Sequence, residues 1–176
     1  MHGYCYGCWF RARRQQVLWG AMAQSQAVVF AFEAPKTHPI YGTRLVAVPQ
    51  HADERGFLIA LDRDQSLPFD VRRVYCIYAG ASAGVRGEHA TSAHCALVAL
   101  QGSVEIDLDN GSEQASVHLS RTDQALCIHA GVWLRVRDLS SGAIVLVAAS
   151  RLFSESVYFD RPSRELLDGP VHERWT

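Results

Sequence analysis

The chain has 176 residues, of which 48% are hydrophobic and 20% are charged, as expected for one globular domain with a substantial core. Its 17 Lys and Arg residues nearly balance 18 Asp and Glu residues, so the formal net charge is -1. This balance argues against nucleic acid or a membrane surface as a partner attracted by bulk charge. No apolar run approaches the roughly 18 residues that span a bilayer.

Residues 1–21 differ from the rest of the chain in being rich in aromatic residues and arginine. Cys5 and Cys8 are spaced as CxxC, but no second Cys/His pair at matching spacing completes a zinc site, and no βαβ pattern follows for a thioredoxin-type motif. We expect a loosely packed extension over residues 1–21 and a single domain over residues 22–176. Five cysteines without a signal-peptide pattern favour a reducing, cytoplasmic location.

From about residue 44 the chain becomes a series of short apolar runs separated by turn residues, which predicts strands. The runs are 44–48, 56–61, 71–78, 95–100, 103–109, 115–119, 125–129, 132–136 and 143–150. Helical periodicity is weak and confined to residues 11–24 and the last twenty residues. Many short strands without intervening helices indicate an all-β sandwich or barrel, whose mouth can hold one small ligand.

The run 103–109 has the clearest pattern. Val104, Ile106 and Leu108 alternate with acidic residues, which is typical of an antiparallel strand with one exposed face. Asn110 and Gly111 follow, and both residue types tolerate positive φ, so we predict a hairpin turn with positive φ at both positions.

Several segments also occur in a specific order. They are DERGFLIAL at 53–61, LPFDVRRVY at 67–75, RGEHA at 86–90, and the stretches 97–111, 131–150 and 154–161. This set resembles the sugar-nucleotide 3,4-ketoisomerases, small cupins of the WxcM-like group, over about residues 44–165. The resemblance implies a cupin, that is, a double-stranded β-helix jelly-roll barrel, which acts on a dTDP-linked 4-keto-6-deoxyhexose without metal or cofactor. It also implies a homodimer, which the long apolar run 143–150 favours because such strands need cover.

The resemblance further implies the site residues. Family members place an arginine, a tyrosine and a His-Ala-His pair around the sugar. By position, His89 is the first histidine, and the second falls on Thr91. We expect His89 and Tyr75 to be catalytic; the expected substrate-binding residues are Arg86, Arg73, Thr91 and His94, where His94 would turn toward the place of the missing histidine.

The chemistry of such an isomerase restricts what each residue can do. It needs a base with a pKa near neutrality and a donor for the developing enolate oxygen, tasks suited to histidine and to arginine or tyrosine respectively. His89 and Thr91 are two residues apart, so on a strand both point into the same cavity. Threonine cannot act as a base at neutral pH, and His89 must therefore carry the proton alone or share it with Tyr75.

Two departures from the family pattern leave other functions open. Thr91 and Leu134 stand where a metal-binding cupin would have histidines, so fewer than the three usual ligands remain and we predict no metal. The leading hypothesis is a metal-free 3,4-ketoisomerase in deoxy- or amino-sugar synthesis. The alternatives are a non-catalytic sugar-nucleotide-binding cupin, and an epimerase that uses His89 with His94 or His129.

Overall fold

The computed structural model describes residues 38–63, 65–82 and 84–169. The predicted extension at 1–21, the Cys5 and Cys8 pair and the weak helical pattern at 11–24 therefore lie outside the described residues. Within the described ranges, none of the helices has the length and apolar character required to cross a bilayer.

The described chain is built from strands that form two facing sheets and one separate hairpin. The strands are β1 (Thr43–Ala47), β2 (Gln50–Asp53), β3 (Gly56–Ile59), β4 (Arg73–Tyr78), β5 (Arg86–Thr91), β6 (Cys95–Gln101), β7 (Val104–Asp109), β8 (Gln114–Leu119), β9 (Gln124–Ile128), β10 (Trp133–Arg137), β11 (Ile144–Ala149) and β12 (Tyr158–Phe159). The first sheet has the order β1-β9-β6-β11-β4, the second has the order β12-β5-β10-β7-β8, and β2 pairs with β3. All pairings are antiparallel, and the all-β prediction is confirmed.

The core lies between the two sheets and explains the predicted alternation in β7. Val104, Ile106 and Leu108 are buried, whereas the acidic residues between them are only partly so. From the first sheet, Leu97 and Val145 join the same cluster. Fully burying a Val, Leu or Ile side chain contributes roughly 1.5–3 kcal/mol, so this interior face holds the sheets together.

Strand β11 corrects one argument for a homodimer. The run 143–150 lies between β6 and β4, and most of its side chains are buried. Its apolar side chains are already buried within this chain, because β6 and β4 pair with its two edges and the core covers its inner face. The edge strand next to β11 is β4, where Val74 is 57% and Tyr78 is 66% exposed.

The turn after β7 lies where the sequence predicts it, but its geometry differs. Gly111 has a φ of 85°, whereas Asn110 does not have a positive φ. The loop runs over four residues because Asp109 pairs with Gln114. The buried Asn110 side chain organises it: Oδ1 accepts from the backbone N–H groups of Ser112 (2.9 Å) and Glu113 (2.8 Å). The prediction of positive φ at both positions is wrong, since this side chain favours a longer turn.

Four short elements were missed by the sequence analysis or only weakly indicated there. All four residues of β2 are exposed, so it shows no hydrophobic pattern, and β12 has only two residues. A 3-10 turn (Phe153–Glu155) precedes β12, and a short helix, α1 (Arg164–Leu167), lies within the last twenty residues, where helical periodicity is weak.

Candidate functional site

A cavity of about 600 Å³ opens between the two sheets. Strands β4, β6 and β11 line one side, and β5, β10 and β12 line the other. Its deep part is apolar, formed by the buried Leu97, Leu134, Val136 and Val147. The polar lining consists chiefly of Arg73, Tyr75, Arg86, His89, Thr91 and Tyr158. The structure thus brings together five of the six predicted site residues.

A β-bulge in β5 places Arg86 and His89 in the same cavity. These residues are three apart, and in a regular strand that spacing would point their side chains to opposite faces. In β10, Leu134 pairs with His89, but the next residue, Arg135, pairs with Gly87, so Glu88 is the extra residue of the bulge. Gly87 and Glu88 both have positive φ, at 80° and 58°. The bulge shifts the alternation by one residue, which is how bulges re-aim side chains near functional sites.

His89 is held in one tautomer by its own strand. Its Nδ1 lies 2.9 Å from the carbonyl oxygen of Gly87. A carbonyl oxygen only accepts hydrogen bonds, so Nδ1 carries the proton, and Nε2 of the neutral ring has a free lone pair. The bulge therefore both aims the imidazole into the cavity and prepares Nε2 to accept a proton.

The two positions that depart from the family pattern flank His89 directly. Thr91 lies on the same face of β5, is buried, and its Oγ1 accepts from the backbone N–H of Ala93 at 3.2 Å. Leu134 is the residue opposite His89 in β10, and it also lines the cavity. Neither can take up a proton, so neither of these two positions offers His89 a second base.

Arg73 connects two tyrosines that line different sides of the cavity, Tyr75 on β4 and Tyr158 on β12. Its guanidinium carbon lies 4.4 Å from the centroid of the Tyr75 ring and 5.3 Å from that of Phe153. Its Nη1 donates a long hydrogen bond of 3.5 Å to the Tyr158 hydroxyl. Cation–π contacts of this kind hold a guanidinium in place without neutralising its charge. The result is a fixed cation between two phenols.

Tyr75 is a hydrogen-bond donor at neutral pH. Burial raises the pKa of its phenol to about 12, with the neighbouring Cys95 acting in the same direction. A phenol with so high a pKa stays protonated. Tyr75 therefore suits the binding or polarisation of a carbonyl oxygen, and does not suit a role as a phenolate base.

Arg86 supplies an uncompensated positive charge at the open side of the cavity. It is exposed, it lines the cavity, and it makes no ion pair with any described residue. In particular it does not pair with Glu88, the extra residue of the bulge. A guanidinium in this state is well suited to bind a phosphate group, which it can contact with two parallel hydrogen bonds.

The sixth predicted residue, His94, does not reach this cavity. Its ring lies against His129, with centroids 4.4 Å apart, and its Nδ1 accepts from the backbone N–H of Ala130 at 3.1 Å. It lines a separate depression with Ser92, Ser150 and Arg151. Burial, helped by His129 and Arg151, lowers the pKa of His94 to about 4. His94 does not turn toward the place of the missing histidine, because the chain between β5 and β6 directs it to the outside of the barrel.

The described residues do not form a recognisable metal-binding site. Nowhere in residues 38–63, 65–82 or 84–169 do three His, Cys, Asp or Glu side chains come close enough to hold an ion. At His89 the neighbouring positions that a metal-binding cupin would use are Thr91 and Leu134. The chemistry that this cavity can perform with its own side chains is proton transfer at His89, with phenol and guanidinium donors facing it.

Tyr158 is the functional candidate that the sequence analysis missed. It lines the cavity, its ring centroid lies 4.9 Å from that of His89, and the two rings are almost perpendicular. The segment 154–161 is part of the family resemblance, which was the available signal. Hydrophobic periodicity could not identify it, because β12 is too short to show a pattern.

Comparisons with known proteins identify the family that this chain resembles. A sequence model of the WxcM-like, C-terminal family matches residues 41–165. A TDP-4-oxo-6-deoxy-alpha-D-glucose-3,4-oxoisomerase from Aneurinibacillus thermoaerophilus is 33% identical over 107 residues, which are 60% of this chain and 77% of that enzyme.

Two solved structures are similar over most of their length. A double mutant of the QdtA 3,4-ketoisomerase from Thermoanaerobacterium thermosaccharolyticum, in complex with TDP, superposes with a TM-score of 0.64 at 32% identity, covering 69% of this chain and 89% of that one. The WlaRB TDP-quinovose 3,4-ketoisomerase from Campylobacter jejuni gives a TM-score of 0.65 at 31% identity, covering 74% and 100%. The predicted family and cupin fold are confirmed.

Proposed function

The chain belongs to the WxcM-like, C-terminal family, and on that premise we propose that it is a 3,4-ketoisomerase acting on a dTDP-linked 4-keto-6-deoxyhexose. The single observation that carries the proposal is the arrangement of His89. Its Nδ1 is tied to the Gly87 carbonyl, which leaves Nε2 as a base inside a cavity that is also lined by three phenols and two guanidinium groups. The similar proteins are 3,4-isomerases of TDP-linked sugars, and one of their structures contains TDP.

In the proposed reaction His89 moves one proton between two carbons. Nε2 removes the proton from C-3, next to the C-4 carbonyl, and an enediolate forms with its negative charge on O-4. A proton then moves from O-3 to O-4, and the same imidazolium returns a proton to C-4, which leaves a ketone at C-3 and a hydroxyl at C-4. Tyr75 and Arg73 stabilise negative charge on the oxygen during this transfer, an effect that typically contributes several kcal/mol in a site that excludes water.

The remaining predicted residues bind rather than react. We assign Arg86 to the diphosphate, since it is an exposed guanidinium without an ion-pair partner among the described residues. Thr91 would donate a hydrogen bond to a sugar hydroxyl. His94 receives no role in the site, because it lines a different depression.

The experiment is isotope exchange followed by NMR. Purified protein is incubated in D2O with the 4-keto-6-deoxyglucose nucleotide, and deuterium at C-3 and C-4 is followed together with formation of the 3-keto product. The wild type is expected to exchange and isomerise, and His89→Asn should lower both rates by at least about 100-fold, the usual contribution of a general base. Arg86→Gln should instead weaken TDP binding by about tenfold or more, measured by calorimetry, since bonds to charged groups contribute about 1.5–3 kcal/mol.

A non-catalytic binding protein is the second candidate, and a specific observation favours it. Thr91 and Leu134, the two neighbours of His89 that cannot accept protons, occupy the positions of family histidines. Tight binding of the sugar nucleotide without any exchange would establish this candidate and reject the isomerase. The epimerase alternative has no comparable support, because His94 and His129 lie together outside the cavity.

The cytoplasmic location and the homodimer are likewise proposals. Cys76, Cys95 and Cys127, the cysteines among the described residues, are free thiols, which a reducing compartment favours. The exposed apolar side chains Val74 and Tyr78 on the edge strand β4 support a second copy as the partner that covers this edge.

A further inference from the structure

We propose that Tyr158 is the second proton-transfer group of the site and performs the task that Thr91 cannot. The inference rests on the proposed function and deepens it. While His89 Nε2 takes the proton from C-3, the Tyr158 hydroxyl gives its proton to O-4, so the products of this step are a neutral enediol, a phenolate and an imidazolium. The phenolate then takes the proton from O-3 as the imidazolium returns its proton to C-4. Both side chains end in their starting states, and the ketone has moved from C-4 to C-3.

The position of Tyr158 follows from strand pairing. In the β12–β5 ladder, Tyr158 is the direct partner of Thr91. Direct cross-strand partners point to the same face of a sheet, about 4.5–5.5 Å apart at their Cβ atoms. Both side chains therefore enter the cavity, and the small Thr91 leaves room for the Tyr158 ring to reach His89, at 4.9 Å between centroids. The phenol occupies the neighbourhood in which a second histidine at position 91 would lie.

The segment that carries Tyr158 is firmly attached to β5. The Ser92 backbone N–H donates to the Val157 carbonyl at 2.9 Å, and the Val157 N–H donates to Ser92 Oγ at 3.0 Å. Three residues before Tyr158 in the sequence, the Glu155 carboxylate accepts hydrogen bonds from Arg72 at both of its oxygens. This anchoring holds the phenol beside the imidazole before any substrate arrives, which is the preorganisation that proton transfer requires.

Arg73 makes Tyr158 chemically suitable for a shuttle. A phenol donates and accepts through one oxygen, so it can serve O-4 and O-3, which are adjacent on the ring. The Arg73 guanidinium donates to this same oxygen at 3.5 Å, so a positive charge lies directly beside the group that exchanges protons. Tyr75 is less suitable, since it lies on β4 against Arg73, whereas the Tyr158 ring lies directly against His89.

The test compares Tyr158→Phe with wild type by the D2O experiment and by steady-state kinetics. Phenylalanine keeps the ring that packs on His89 and removes only the hydroxyl. We expect kcat to fall about 100- to 1000-fold, with KM and the Kd for TDP within about threefold. Because His89 still removes the C-3 proton, the ratio of C-3 exchange to isomerisation should rise at least about tenfold. Tyr41→Phe, at an exposed site outside the cavity, is the matched control and should retain wild-type rates.

The outcomes separate this inference from the proposed function. A Tyr158→Phe variant with kcat within about threefold of wild type overturns the shuttle alone and leaves the isomerase intact. A fall in kcat with an unchanged ratio of exchange to isomerisation also overturns it, because that pattern indicates a structural role through His89. A wild type that binds the nucleotide sugar without exchange overturns the proposed function, and the shuttle with it.

Discussion

A single methyl group at Gly87 tests whether the β5 bulge builds the site. Gly87 has a φ of 80°, and an added Cβ would lie 2.9 Å from Leu134 Cδ1 and 3.0 Å from the Leu134 carbonyl oxygen. The left-handed backbone costs a non-glycine residue roughly 1–2 kcal/mol, and crowding in a packed interior costs about 1–3 kcal/mol. Gly87→Ala should therefore destabilise the protein by about 3 kcal/mol.

That loss is measurable by heat and by activity. For a domain of this size, about 3 kcal/mol corresponds to a fall in Tm of roughly 6–12 °C, which calorimetry or circular dichroism can follow. The loss of activity should exceed what the loss of folded protein accounts for. The added methyl group displaces Leu134, which is the strand partner of His89, and so moves the imidazole. A shift of about 1 Å in the base can cost on the order of 100-fold in rate, so we expect at least about a tenfold lower kcat at a temperature where the variant is folded.

Gly80→Ala is the matched control. A Cβ at Gly80 meets no atom within 4 Å, and its φ lies outside the left-handed range. It should leave Tm and kcat close to wild type. A Gly87→Ala variant with the same Tm and kcat as the control would refute the role of the bulge. The φ of 80° and the close approach to Leu134 would then contribute nothing to the free energy of unfolding or to the position of His89.

Two further predictions concern the rest of the molecule. The folded-state pKa of His94 is lowered to about 4, below the unfolded value of about 6.5, so the unfolded state binds the proton first and stability should be lost as the pH falls from about 6.5 towards 4. Urea unfolding of wild type should show a loss of about 1–2 kcal/mol between pH 7 and pH 5; an equal loss in His94→Gln would contradict this assignment. Light scattering should give a mass of about twice 19.5 kDa, and a monomer at micromolar concentration would reject the homodimer.

Local patterns were sufficient for most of the strands. In β7, Val104, Ile106 and Leu108 alternate with acidic residues, and the same three side chains are buried. Such a pattern can be recognised in the sequence because apolar residues occupy the buried positions and polar residues occupy the exposed ones. Strand β2 could not be predicted in this way, since all four of its residues are exposed and its pairing partner, β3, is its main constraint.

The site residues likewise divide into those that the sequence could predict and one that it could not. Arg86, His89, Tyr75, Arg73 and Thr91 could be named from their order along the chain, and they converge in one cavity. His94 was placed by sequence proximity to Thr91, but proximity along the chain does not decide on which side of a sheet a residue lies after a turn. Its ring packs against His129 instead. The residues around His94 in the sequence do not show whether its side chain enters the cavity or lies against His129.

The sequence by itself determined the all-β class and the family, and it predicted His89 as the base, because these depend on residue types and their order. Only the tertiary structure decided that Arg86 and His89 share a face, since the phase of the strand depends on the extra residue of the bulge at Glu88. It also decided that Tyr158 stands opposite Thr91, nearly seventy positions earlier in the chain. Register between strands distant in sequence is set by the packing of the whole barrel, and no single segment encodes it.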